Sequence, residues 1–199
     1  MNTLRQSEAK MKIYLAGPDV FLPDAVEIGR RKVEICARHG LTGLYPLDNA
    51  IDAAARDASL QIFRGNEAMM MEACAVIANL TPFRGPGADC GTVYELGYMA
   101  GRGRLCLGYS NDASTYADRV RQFTDVVSRD GRLVDAAGLT VEDFGLCDNL
   151  MMIHAIELHG CALVTPRQPP ADLWHDLAAF ETCVGLAADR LAATSRASH

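Results

Sequence analysis

Two apolar runs, KIYLAG at 12–17 and AVIANL at 75–80, each end at a loop rich in glycine and proline and then give way to a segment of helical periodicity. That handover constrains the fold more than any other feature. A run without polar alternation suits a strand buried on both faces, and such strands belong to parallel sheets whose connections are helices. After the first run, Pro23-Asp24 opens a helix on which Val26, Gly29, Val33, Cys36 and Ala37 recur near helical spacing, and Gly40 closes it. A short strand at about 43–45 stops at the turn residues Pro46 and Asp48-Asn49, and a helix is expected from about 59 to 73. After the second run a helix begins near Thr92 and ends near Arg102, and LCLGY at 105–109 supplies a fourth strand. The polar stretch 111–140 reads as a surface helix and loops, 149–158 as a helix, CALV at 161–164 as a last strand and 171 to about 192 as a final amphipathic helix. The alternation predicts an α/β fold: a doubly wound, flavodoxin-like parallel sheet of about five strands with helices on both faces. Residues 1–199 form a single domain in this reading, with 1–11 and about 193–199 frayed.

A chain of 199 residues, 49% hydrophobic and 22% charged, buries roughly 70% of its unfolded surface and needs no disulfide or metal to hold its core. Its seven cysteines, Cys36, Cys74, Cys90, Cys106, Cys147, Cys161 and Cys183, form no C-x-x-C pair and no close Cys/His cluster. They read as small buried hydrophobes in a reducing compartment, Cys90 being the least committed to that role. No stretch approaches the roughly 20 apolar residues of a membrane span, and MNTLRQSEAKMK lacks the apolar region of a secretory signal. A cytoplasmic protein without membrane association is expected. The net charge of −6 argues against a nucleic-acid polymer as partner and leaves a small molecule as the substrate class. Neither a metal nor an organic cofactor is implied.

Ligands of open α/β sheets bind beyond the carboxyl ends of the strands, so the loops after Gly17, Tyr45 and Leu80 are where chemistry belongs. The third loop and the helix after it read TPFRGPGADCGTVYELG and carry two carboxylates, Asp89 and Glu95, six residues apart. Two readings compete. Thr92-Val93-Tyr94-Glu95 fits a capping box, with Asp89 as a turn former, and needs no function at all. Alternatively the two carboxylates frame one cleft, as glycosidic chemistry requires, one attacking the anomeric carbon and the other managing a proton on the leaving group.

Five segments bear on that choice: YLAGPDVF at 14–21, PLDN at 46–49, ANLTPFRG at 78–85, ADCGTVYELGYMAG at 88–101 and DNLMM at 148–152. In order and spacing they resemble the nucleoside 2-deoxyribosyltransferases, over roughly residues 12 to 160. The resemblance implies transfer of 2-deoxyribose between nucleobases, with Glu95 as the nucleophile that attacks C1′ and forms a covalent deoxyribosyl-enzyme. A second base then attacks the same carbon, and two inversions give net retention. Tyr14 is implied to orient Glu95 through its hydroxyl, and Asp89 to contact the base and help protonate it. Gly17 and Phe21 would line the sugar and base pocket, although Phe21 serves equally well as a hydrophobic staple for the first helix. Asn149 and Met151 correspond to residues that a neighbouring subunit supplies, which implies a homo-oligomer with a shared site. The partners expected are therefore a deoxynucleoside, a free nucleobase and a second copy of the chain.

The chain also departs from the family's pattern. Some members carry Asp where this chain has Asn66, a position that touches the base, and Gln where it has Ala50, so base preference does not carry over. Cys74 replaces an Asp before the third strand, for which packing is the expected role. A related branch hydrolyses 2′-deoxynucleoside 5′-monophosphates with the same fold and nucleophile. It favours serines around the phosphate, and residues 81–91 contain none. A non-catalytic nucleotide-sensing domain is the remaining alternative, and Tyr14, Asp89 and Glu95 together speak against it.

Overall fold

The computed structural model describes residues 11–48 and 56–197. Asn49 of the PLDN turn, Ala50 and the outermost residues of both ends lie outside them. The strands β1 (Lys12–Ala16), β2 (Thr42–Leu44), β3 (Ala75–Asn79) and β4 (Leu105–Tyr109) pair in parallel in the order β2-β1-β3-β4, the doubly wound order expected. The helices α1 (Ala25–Arg38), α2 (Ala58–Glu72) and α3 (Cys90–Gly101) make the crossovers between them. Further along come α4 (Tyr116–Phe123), the strands β5 (Val126–Arg129), β6 (Arg132–Asp135) and β7 (Thr140–Val141), then α5 (Leu150–His159) and α6 (Ala178–Ala197). Among the described residues no helix is long and apolar enough to cross a membrane.

Strand parity sorts the core into two layers. The odd residues Ile13, Leu15, Ile77, Leu107 and Tyr109 pack with Ile35 and Cys36 of α1 and with Phe180, Cys183 and Val184 of α6. The even residues Tyr14, Ala16, Val76, Ala78 and Cys106 face the other way, onto Met70 of α2, Leu96 and Met99 of α3 and Met152 and Ile156 of α5. Tyr14 is thereby pointed at the helix that carries Glu95. Register keeps the two sets apart, since Tyr14 lies opposite Val76 and Leu15 opposite Ile77.

Several expectations need correcting. CALV does not form a fifth strand: Gly160 and Val164 bridge Cys106 and Tyr109 at isolated points, and no ladder joins them. The polar stretch after β4 holds a three-stranded antiparallel sheet, β5-β6-β7, as well as a helix. Its hairpin turns at Asp130 and Gly131, with φ of 49° and 76°, the paired positive values of a type I′ turn. The last helix starts at Ala178 rather than near 171, because the Asp172 carboxylate accepts from the Trp174 and His175 N–H groups and Asp176 accepts from Ala178 N–H. Aspartates bonding their own backbone favour turns over helix. On α1 the buried face is Ala25, Ile28, Gly29, Lys32, Ile35 and Cys36, so Val26 and Ala37 point outward instead. All seven cysteines are free thiols; Cys36, Cys106 and Cys183 are buried, and Cys90 is exposed. Cys74 donates to the Lys12 carbonyl at 3.2 Å, a packing role.

Candidate active site

Beyond the carboxyl ends of β1, β2 and β3 lies a cavity of about 390 Å³. Gly17, Val20 and Phe21 line it from the first loop, Pro46 and Leu47 from the second, Ile62 and Asn66 from α2, and Asp89, Gly91, Thr92 and Glu95 from α3 and its approach. The 3-10 turn Pro18–Phe21 is pinned from beneath. Asp19 is buried against Lys32 at 2.5 Å and accepts from Asn79 Nδ2 at 3.0 Å. A Cβ on Gly17 would lie 2.4 Å from the Asp19 carboxylate and 2.9 Å from Asn79 Cβ, so only glycine lets the turn sit this close. The turn's outer end carries Phe21, which stacks on Phe83 with ring centroids 5.3 Å apart. Phe21 lines the cavity.

At the floor, Tyr14 Oη donates to Glu95 Oε1 at 2.5 Å. Burial pushes the Glu95 carboxyl up to about 7, the Tyr14 hydrogen bond opposes this, the nearby Asp89 charge adds to it, and Asn66 favours the ionised form. The Tyr14 phenol is held well above its usual range by burial and by the Glu95 charge, so it stays a proton donor. The pair works as a neutral donor fixing a carboxylate whose ionisation is poised at neutral pH. Asn66 Oδ1 is buried without a partner among the described residues.

The capping arrangement differs from the T-x-x-E box. Asp89, not Thr92, is the N-cap of α3: its Oδ2 accepts from Thr92 N at 2.9 Å and from the Thr92 hydroxyl at 3.1 Å. With the helix starting at Cys90, Glu95 lies in its second turn, out of reach of the orphan N–H groups. Its carboxylate turns to Tyr14 and the cavity instead. The expectation that Thr92 carries the capping is therefore overturned; Thr92 is the donor.

Asn149 and Met151 do not line this cavity. Asn149 is the N-cap of α5, accepting from Met151 N at 3.0 Å and donating to Glu142 at 2.8 Å, and Met151 is 72% exposed. Leu47 and Ile62 went unnoticed in the sequence, although Ile62 and Asn66 are spaced i, i+4 on one face of α2. So did the aromatic cluster that backs Phe21 outside the cavity lining, where Trp174 meets the edge of Phe83 at 6.1 Å and the Arg84 guanidinium lies over Phe83 at 4.6 Å and Phe21 at 5.3 Å. No group of three or more His, Cys, Asp or Glu among the described residues is arranged to hold a metal ion.

The family model for nucleoside 2-deoxyribosyltransferases matches residues 13–151. An uncharacterised protein of Schizosaccharomyces pombe is 33% identical, over 74% of this chain and 78% of its own length. Among solved structures, the 2-deoxyribosyltransferase of Leishmania mexicana is 31% identical with a TM-score of 0.59, covering 87% of this chain and 97% of that one. A conserved protein of Enterococcus faecalis shares the fold at 22% identity and a TM-score of 0.53, over 79% and 92% of the two chains.

Proposed function

Given that the chain belongs to the nucleoside 2-deoxyribosyltransferase family, we propose that it moves 2-deoxyribose between nucleobases through a covalent deoxyribosyl–Glu95 intermediate. The observation that carries this reading is the Tyr14–Glu95 hydrogen bond on the floor of a cavity that also holds Asp89 and Asn66. A Glu95 oxygen attacks C1′ of the bound 2′-deoxynucleoside, and the C1′–N bond breaks with its electron pair passing to the base. Asp89 Oδ1, protonated from solvent, passes that proton to the base as it leaves. A ring nitrogen of the second base then attacks C1′ from the vacated face, gives its proton to Asp89 and releases the Glu95 carboxylate. Two inversions at one carbon return the original configuration. Tyr14 holds the attacking carboxylate in line, and its neutral phenol does not compete for the sugar.

In this reading the base packs on Phe21, which Phe83 backs by stacking, and the deoxyribose sits over Gly17. Asn149 and Met151 lie off the cavity of their own chain at the start of α5, and in this reading they complete the site of a second copy, to which the exposed Met151 is open. The working enzyme in this reading is a homo-oligomer whose subunits complete each other's sites.

The test supplies purified protein with a deoxynucleoside, with and without a second free base, and follows products by chromatography. A new deoxynucleoside should form with the acceptor present, and release of free deoxyribose should be slower without it. Equal release in both, with turnover confined to a 5′-monophosphate, would identify a hydrolase instead.

A further inference from the structure

The segment leading into Asp89 is held by a buried charge network that the chemistry above does not use. Arg119 of α4 and Asp148 are 3% and 2% exposed and meet at 3.4 Å. The guanidinium spreads its donors over three separate chain segments. Nε donates to the Pro86 carbonyl at 2.6 Å, Nη1 to the Ser114 carbonyl at 2.8 Å, and Nη2 to the Cys147 carbonyl. Asp148 Oδ2 accepts from Ala88 N at 3.0 Å, and its Oδ1 from Asn149 N at 2.7 Å. One carbonyl and one N–H of the three residues before Asp89 are thus fixed by two side chains whose own partners lie in α4, its approach and the start of α5. Asp89 itself spends Oδ2 on Thr92, while Oδ1 takes no hydrogen bond from the described residues and the residue lines the cavity.

We propose that Arg119 and Asp148 are positioning residues for the transfer reaction: by clamping the Pro86–Ala88 backbone they aim the remaining oxygen of Asp89 at the departing base. Their effect on rate is exerted through proton delivery, and it scales with how much the leaving base needs a proton. The proposal rests on the role given to Asp89 above. A planar, five-donor guanidinium suits the task, because a lysine ammonium cannot reach three carbonyls on three segments at once. Small displacements suffice to harm a positioned acid, as misplacement by about 1 Å can cost about a hundredfold in rate.

Asp148→Asn and Arg119→Lys are compared with wild type on two leaving groups that differ only in proton demand. The pair is 2′-deoxyguanosine against 7-methyl-2′-deoxyguanosine, whose cationic base departs as a neutral molecule without a proton, the added methyl being controlled for by reading each variant's loss as a ratio to wild type on the same substrate; thymidine against 5-fluoro-2′-deoxyuridine replaces it where the pyrimidine is the better substrate. Each variant should lose about tenfold to a hundredfold in kcat on the demanding member and less than about threefold on the other. Asp89→Asn, run alongside, should give the same pattern. Equal losses on both members, or no loss on either, would overturn the positioning role. If Asp89→Asn alone shows the selective loss, the clamp is wrong and the acid stands; if Asp89→Asn shows none, the reading of Asp89 falls and the clamp with it. Should one clamp variant fail to fold, the other decides on the same criterion.

Discussion

Replacing Glu95 with glutamine should abolish transfer and, at pH 8, make the protein more stable. Burial raises this carboxyl from 4.5 to about 7, so the folded protein binds a proton that the unfolded chain has already released over most of that window. The fold gains from the protonated group at low pH and loses that gain as the pH rises from about 4.5 through about 7. At about 1.4 kcal/mol per pH unit, keeping Glu95 ionised above pH 7 costs the fold about 3 kcal/mol. Glutamine has the shape of the protonated acid and carries no such cost. Its carbonyl oxygen can still accept from Tyr14, and a turn of the Asn66 amide, which now donates to Glu95, would offer its unpaired Oδ1 to the new N–H. For a chain of this size 1 kcal/mol corresponds to about 2–4 °C, so Glu95→Gln should melt about 6–12 °C above wild type at pH 8. At pH 5 the two should agree within a few degrees. Thermal unfolding followed by circular dichroism between pH 5 and 8 reads this directly. A variant less stable than wild type at pH 8, or a difference that does not grow with pH, would refute the account of Glu95 as a strained functional carboxylate.

Three further outcomes follow from the same geometry. Tyr14→Phe removes the hydrogen bond that favours the ionised carboxylate, so the acid limb of the kcat/KM profile, set near pH 7 by Glu95, should move up by about one pH unit. An unmoved limb would separate Tyr14 from the ionisation of Glu95. Phe21→Ala removes the aromatic face that Phe21 gives the cavity and should raise KM about threefold to tenfold with a smaller effect on kcat, measured by initial rates over a range of deoxynucleoside concentration. Phe180→Ala, on the core face of α6, should cost about 3–5 kcal/mol in denaturant unfolding and leave the rate per folded molecule unchanged, since α6 serves the fold and lies away from the cavity.

The parallel sheet was legible because its strands are uninterrupted apolar runs: KIYLA and AVIAN are buried nearly throughout, as period-free hydrophobicity requires. The β5–β6 hairpin was not, because VVSR and RLVD are short, half polar and nowhere buried, and the Asp130-Gly131 turn that joins them was the only strong local signal. CALV has strand composition, yet only its Val164 and the preceding Gly160 bridge β4, and none of its four residues is buried; composition does not specify a ladder. At the site, the loops that carry function followed from strand order alone, and five motif segments chose the chemistry. The clamp of Arg119 and Asp148 had no sequence signal, since it joins residues about 30 and about 60 positions apart through backbone carbonyls and N–H groups, which any residue possesses.

The most instructive misreading concerns the cap. T-x-x-E at 92–95 and D-x-x-T at 89–92 are both capping patterns, and they place the start of α3 three residues apart. The sequence offers no way to choose between them, because either satisfies the first orphan N–H groups. The choice decides what Glu95 can do. With Thr92 as cap, the glutamate would sit at the third helical position with its oxygens spent on the backbone. With Asp89 as cap, it moves to the second turn, loses those donors, and is left in a buried setting with Tyr14 as its hydrogen-bond donor. The upward push on its ionisation follows from that relocation, and so does the poise at neutral pH. Capping by Asp89 is therefore part of the site: the oxygen it gives to Thr92 releases Glu95 for attack, and its second oxygen is the one left for the base.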